Sequence, residues 1–141
     1  MTNDIKKSLI ALSAGTFGLG ITEFAIMGIL PYVADAFRVT IPEAGHLITA
    51  YALGVCVGAP LLLLIARKWP LKNAIFLIMG IYPLAGILSA LCPAGQSWNY
   101  WLMMLFRFMS GLPHGAFFGV SSIVADKLST GENSTLAVSI M

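Results

Sequence analysis

The chain has 141 residues, a net charge of +2, 58% hydrophobic and 10% charged residues, and a mean hydropathy of +0.88. Soluble domains carry roughly 25% charged residues, so this composition excludes an ordinary water-soluble domain. It leaves an integral membrane protein of one domain or less, with no charge excess that would suit nucleic acid.

The N-terminal MTNDIKK precedes an apolar run from Leu9 to Tyr32. A cleaved signal peptide has an apolar core of roughly 7–15 residues. This run is longer and lacks a clean cleavage site, so it reads as an uncleaved first span. Within it, ITEFAIMG places Glu23 as the sole charge between Ser8 and Ala34, a stretch of 27 residues. The second span is 44–66, with 23 residues free of Asp, Glu, Lys and Arg. Asn73 to Phe106 then runs 34 residues without a charge. One crossing of a ~30 Å hydrocarbon core needs about 20 residues. CPAGQSWN, Cys92 to Asn99, breaks the run with Pro, Gly and polar residues. The third and fourth spans are therefore 73–91 and 100–125. A polar loop, 126–135, follows, and TLAVSIM at about residue 135 starts a fifth span. In lipid a segment must satisfy its own backbone, so each span is a helix.

Short-loop basic residues orient the chain. Lys6, Lys7, Arg67, Lys68, Lys72 and Lys127 fall on one side, and Arg38 alone on the other, beside Asp35 and Glu43. That bias places the N-terminus in the cytoplasm. Trp69, Trp98, Tyr100 and Trp101 fall at span edges, where aromatic belts lie. Gly54 with Gly58, and Gly111 with Gly115 and Gly119, repeat at four-residue spacing, which suits close helix packing or a cavity wall. Pro60, Pro83 and Pro113 interrupt spans two, three and four, each removing a backbone hydrogen bond. Cys56 and Cys92 lie far apart in apolar context without metal-ligand spacing, and read as small buried hydrophobes.

Charges deep in a bilayer cost roughly 2.5–3.5 kcal/mol on insertion scales. Glu23 and Arg107 carry that burden. Counting at ~1.5 Å per residue puts Glu23 about 22 Å and Arg107 about 18 Å above the inner face. The depths match, so a Glu23–Arg107 contact, direct or through water, is geometrically possible if their helices are neighbours. Two readings follow: a structural ion pair, or a pair lining a watered pathway. Burial favours a neutral carboxyl and a guanidinium favours a charged one; a proton-coupled carrier exploits that competition. Arg107 does not titrate and serves only as counter-charge or donor. His114 lies two turns beyond Arg107 on the same face, either a titrating group or a packed, hydrogen-bonded one. His46 reads as a wetted interfacial residue. Thr16, Gly20, Glu23, Met27, Arg107, Gly111 and His114 are the candidate cavity residues. Ser121 and Ser122 lack a basic partner, and no nucleotide loop, metal cluster or nucleophile–base set is present in the sequence. The expectation is no enzyme, no cofactor and no metal.

GTFGLGITEFAIMGILPYVA, IPEAGHLITAYALGVCVGAPLL and RFMSGLPHGAFFGVSSIVADKL together resemble the N-terminal part of major facilitator superfamily permeases. The nearest branch is the drug:proton antiporter type that includes arabinose- and sugar-efflux permeases. The resemblance covers nearly the whole chain. Arg107 to Gly111 matches the R-x-x-x-G motif of the fourth helix, whose Arg the family associates with proton coupling. The family's G-x-L-x-D-R-x-G-R-R loop is degraded: Leu63 to Lys72 reads LLIARKWPLK, with Arg67 in place of the Asp and Pro70 in place of the Gly. Its basic residues Arg67, Lys68 and Lys72 remain as cytoplasmic anchors, without the acidic partner of a gating pair.

The resemblance implies twelve helices in two halves of inverted three-helix repeats. The fold expected is all-α and membrane-integral: four transmembrane helices plus the start of a fifth, part of an N-terminal six-helix half, with spans one and four lining the cavity. It also implies a bacterial inner-membrane, proton-coupled efflux permease for a sugar-like or drug-like small molecule. Its partners are then substrate, protons, lipid and the further C-terminal helices of a longer transporter, of which this chain is a piece. The alternatives are a small four-helix multidrug-type homodimer and a non-transporting membrane fragment.

The loop assignment is checked by alkaline phosphatase fusions. A fusion at Val39 is expected to be active and one at Trp69 silent; the reverse pattern overturns the assigned orientation.

Overall fold

A computed structural model describes residues 3–66, 68–95, 97–128 and 139. Among these the architecture is all-helical: α1 (Asn3–Gly28), α2 (Leu30–Phe37), α3 (Ile41–Ala66), α4 (Leu71–Ala90) and α5 (Ser97–Leu128). Four helices, Ile5–Gly28, Ile41–Ile65, Lys72–Ala90 and Trp98–Lys127, are long and apolar enough to cross a membrane. The expected start of a fifth span lies outside the described residues save Ser139, and Arg67 lies outside them too.

The first predicted span, 9–32, is divided. Helix α1 stops at Gly28 and α2 restarts at Leu30, with Pro31 in the first turn of α2. A proline has no N–H and its ring clashes with the carbonyl four residues back, here that of Met27. The chain absorbs this at Ile29, whose N–H reaches the Ile26 carbonyl at 3.3 Å. Helix α2 ends at Arg38, which takes the left-handed conformation at φ 55°. The Arg38 and Val39 amides donate to the Asp35 and Ala34 carbonyls at 3.1 and 3.0 Å, a Schellman closure without its usual glycine.

Thr40 and Glu43 start α3 with a capping box. The Thr40 amide donates to Glu43 Oε2 at 2.7 Å, and the Glu43 amide donates to Thr40 Oγ1 at 3.3 Å. Tyr100 Oη donates to the Glu43 carbonyl at 2.7 Å, tying the start of α5 to the start of α3. Tyr100 is therefore turned inward, whereas Trp98 and Trp101 are exposed. Pro60, Pro83 and Pro113 stay within unbroken α3, α4 and α5.

Helix α5 is the hub. Half of its membrane window is buried inside the fold, against 28% or less for each other span. Its contact with α3 is backbone on backbone. A Cβ added at Gly54 would strike the Phe108 carbonyl, at Gly58 the Leu112 backbone, and at Gly111 the Tyr51 carbonyl. At Gly115 it would lie 2.6 Å from the Val55 carbonyl. The two glycine repeats therefore face one another, and only their missing side chains permit this approach. On its other side α5 joins α1 and α4 through Leu12, Leu19, Ala74, Ile78, Ala116, Phe117 and Val120.

Ser8, Lys72 and Lys127 border one groove, so Lys72 and Lys127, two of the basic residues assigned to one side, lie near each other. Lys72 Nζ lies 6.0 Å over the Phe76 ring, and Lys68 is exposed. Cys56 corrects an expectation: it is exposed on α3. An apolar face of a membrane helix is covered by lipid or further helices, so apolar context does not require burial within these four spans. Cys92 is half-buried, its thiol donating to the Asn99 carbonyl at 3.4 Å, and burial pushes that thiol up.

Gly58→Val is expected to destabilise the bundle by about 3 kcal/mol through overpacking against backbone. Gly80→Ala, where an added Cβ meets nothing within 4 Å, is expected to be tolerated. Thermal unfolding in detergent separates the two; equal stability of both variants overturns the backbone-contact assignment.

Candidate functional site

The polar residues of the membrane interior gather around α5. Arg107 and His114 lie two turns apart on that helix, and both are buried, at 6% exposure each. The glycine-mediated approach of α3 sets Tyr51 against both of them. The Arg107 guanidinium carbon lies 4.7 Å from the centre of the Tyr51 ring, within cation–π range. Tyr51 Oη forms a short hydrogen bond with His114 Nδ1. The other face of the imidazole stacks on Phe118, at 5.2 Å and 25° between planes. His114 Nε2 then faces Glu23 Oε2 of α1 at 3.9 Å.

The Glu23–Arg107 contact that their depths allow is thus replaced. Among the described residues the carboxylate's ion-pair partner is His114, and Arg107 sits over Tyr51 instead. Depth along a helix says nothing of azimuth around it, and Tyr51 occupies the position beside Arg107. The result is a chain of contacts from Arg107 through Tyr51 and His114 to Glu23, spanning α5, α3 and α1. It joins the guanidinium to a phenol, an imidazole and a carboxylate. Glu23 keeps 38% of its side chain accessible against 8% for His114, so the carboxylate is the open end of that chain.

The other candidate residues distribute around this line. Gly20 and Met27 share the Glu23 face of α1; a Cβ at Gly20 meets nothing within 4 Å, and Met27 is exposed. Thr16 is buried and donates to the Ser13 carbonyl at 2.8 Å. Gly111 is packed against the α3 backbone. His46 is exposed. Ser121 is fully buried, and Ser122 donates to the Phe118 carbonyl at 2.6 Å.

A second feature adjoins Arg107. A cavity of about 400 Å³ lies between α1, α4 and α5, its lining mostly apolar, with Pro83, Ile87 and Ala90 beside Thr22, Tyr82, Gly86, Ser89, Arg107 and Ser110. Arg107 Nε and Nη2 are enclosed by protein without a hydrogen-bond partner among the described residues. No cluster of three or more metal-ligating side chains occurs among the described residues. Sequence reasoning missed Tyr51 and Tyr82. Each is a phenol inside a predicted span, and a buried phenol needs a partner for its hydroxyl; that was the available signal.

A profile of the Major Facilitator Superfamily matches residues 12–141. The chain belongs to the Major Facilitator Superfamily. It is similar to the inner membrane transport protein YdhP of Escherichia coli K12, at 43% identity over 137 residues, which is 97% of this chain and 34% of that protein. The transporter AraJ of the same organism is 40% identical over the same coverage. A Helicobacter pylori protein named as a sugar efflux transporter is 29% identical over 114 residues, covering 81% of this chain and 28% of its own length. The chain thus spans about a third of the length of the curated relatives it matches. This facilitator-superfamily chain is a multi-pass membrane protein, with its intramembrane charges on the first and fourth spans.

Tyr51→Phe keeps the ring under Arg107 but removes the bond to His114, and is expected to lower stability by about 1 kcal/mol. Tyr51→Ala also removes the ring, with an expected loss of about 3 kcal/mol or more. Denaturation in detergent checks the order; a Phe variant as unstable as the Ala variant overturns the assigned division of roles.

Proposed function

We propose that this chain forms part of a proton-coupled efflux permease for a small molecule, held in the bacterial inner membrane with its N-terminus in the cytoplasm. The observation that carries this reading is the contact of Glu23 with His114 inside the membrane. A carboxylate and an imidazole in contact share a proton according to their surroundings. A change in helix packing that separated them would alter which group holds it. Tyr51 keeps His114 oriented through its hydroxyl. Alternating access then needs only that α1 move relative to α5, and their contact is much less extensive than that between α3 and α5.

Membership in a transporter family and the names of the relatives support transport, with efflux drawn from the H. pylori relative. The six basic residues on one end support the orientation. Lys68 and Lys72, with Arg67, act as anchors on that side. The remaining helices of the permease supply the other walls of the substrate cavity, and the lipid bilayer covers the exposed apolar faces.

The test is Glu23→Gln in the complete transporter, reconstituted in proteoliposomes. Substrate-induced proton movement is expected to vanish while membrane insertion is retained. Proton coupling equal to wild type in that variant overturns the role given to Glu23.

A further inference from the structure

We infer that the groove between α1, α4 and α5 that opens at Lys72 and Lys127 binds one anionic phospholipid, its phosphate on the two ammonium groups and an acyl chain along the apolar walls. The site lies apart from Glu23, His114 and Arg107, and it does not depend on the transport reading.

The groove exists because α1 and α4 each pack on α5 more than on one another. Its volume is about 560 Å³. Ala11 and Leu12 line it from α1, Ile75 and Phe76 from α4, and Val124 from α5. Leu12, Ile75 and Val124 also take part in the core that joins these three helices, so the floor of the groove is the outer edge of that core. Its basic groups mark one end. Lys72 opens the third candidate span, Lys127 closes the fourth, and Ser8 is the fourth residue of the first. Span ends are the depth at which a bilayer changes from headgroup to hydrocarbon. Phe76 is four residues beyond Lys72, so at ~1.5 Å per residue the apolar wall descends about 6 Å, roughly one turn, below the ammonium.

Charge decides which lipid fits. Both lysines are exposed, and among the described residues neither has a carboxylate within ion-pair distance. Asp126 precedes Lys127 but does not border the groove. Lys72 Nζ sits 6.0 Å over the Phe76 ring, at the outer limit of a cation–π contact. That contact keeps the ammonium beside the groove and leaves its three N–H groups for an acceptor. A phosphodiester offers both ammonium groups a negative charge and strong acceptors. A zwitterionic lipid brings its own cation to the same place, and inorganic phosphate leaves the apolar walls uncovered. Basic pockets between membrane helices at headgroup level recognise anionic lipids in this way. Each lysine near an anionic lipid is worth roughly fivefold in affinity, so two give about thirtyfold.

Native mass spectrometry of the complete transporter in detergent tests this, by titration with dioleoylphosphatidylglycerol and, separately, with dioleoylphosphatidylcholine. One phosphatidylglycerol is expected to bind roughly thirtyfold more tightly than phosphatidylcholine. Lys72→Gln and Lys127→Gln are each expected to cost about fivefold, and the double variant to remove the preference, with thermal stability in lipid-free detergent unchanged. Should the double variant fail to fold, the two single variants carry the test. Lys68→Gln removes the same charge outside this groove and is expected to keep the preference. Equal binding of the two lipids, a preference that survives in the double variant, or one that Lys68→Gln lowers as much as the double variant does overturns the proposal. So does full displacement of phosphatidylglycerol by an equal concentration of glycerol 3-phosphate, which would make the phosphate alone the ligand. A later helix of the transporter seated in the groove, read from a structure of the complete protein, overturns it as well.

Discussion

The contact between α3 and α5 governs where every polar group of the interior lies. Four glycines bring the two backbones together: Gly54 and Gly58 on α3, Gly111 and Gly115 on α5. In a bilayer, apolar surface does not drive helices together as it does in water, so close van der Waals packing must hold them. Side chains at these positions would separate the helices by several ångströms. Tyr51 lies one turn before Gly54, and its carbonyl is the atom that a Cβ on Gly111 would strike. The same approach therefore sets the Tyr51 ring under Arg107 and its hydroxyl on His114.

That arrangement separates groups that the sequence places close together. Glu23 faces His114 from the accessible side of α1. Arg107 lies buried over the Tyr51 ring, its Nε and Nη2 without a hydrogen-bond partner among the described residues. Tyr51 lies between His114 and Arg107 and touches both.

The rigid and the loosely held parts of the bundle differ in kind. Helices α3 and α5 meet backbone to backbone, with Tyr100 and Glu43 joining their outer ends. Helix α1 instead meets α5 through side chains, among them Leu12 and Leu19 against Phe117. It also carries the break at Ile29, where a turn replaces the regular ladder. Side-chain packing can slide or re-form, whereas interlocked backbones resist it. Glu23 is placed on the helix held by side chains alone.

Much of this was legible in the residues. Four helices followed from run lengths and the absence of charge, since a bilayer admits few other solutions. The facilitator-superfamily kinship was also readable, because it is carried by local motifs. The break at Ile29 was missed, though Pro31 announced it. The partnership was misassigned because spacing along a helix gives depth, while the direction a side chain points relative to another helix depends on how closely the two approach. Composition and periodicity by themselves determined a membrane bundle with charges in its first and fourth spans. Only the packed tertiary structure decided that Glu23 meets His114 and that Tyr51 stands between His114 and Arg107, because those outcomes depend on the azimuths at which glycine faces allow three helices to meet.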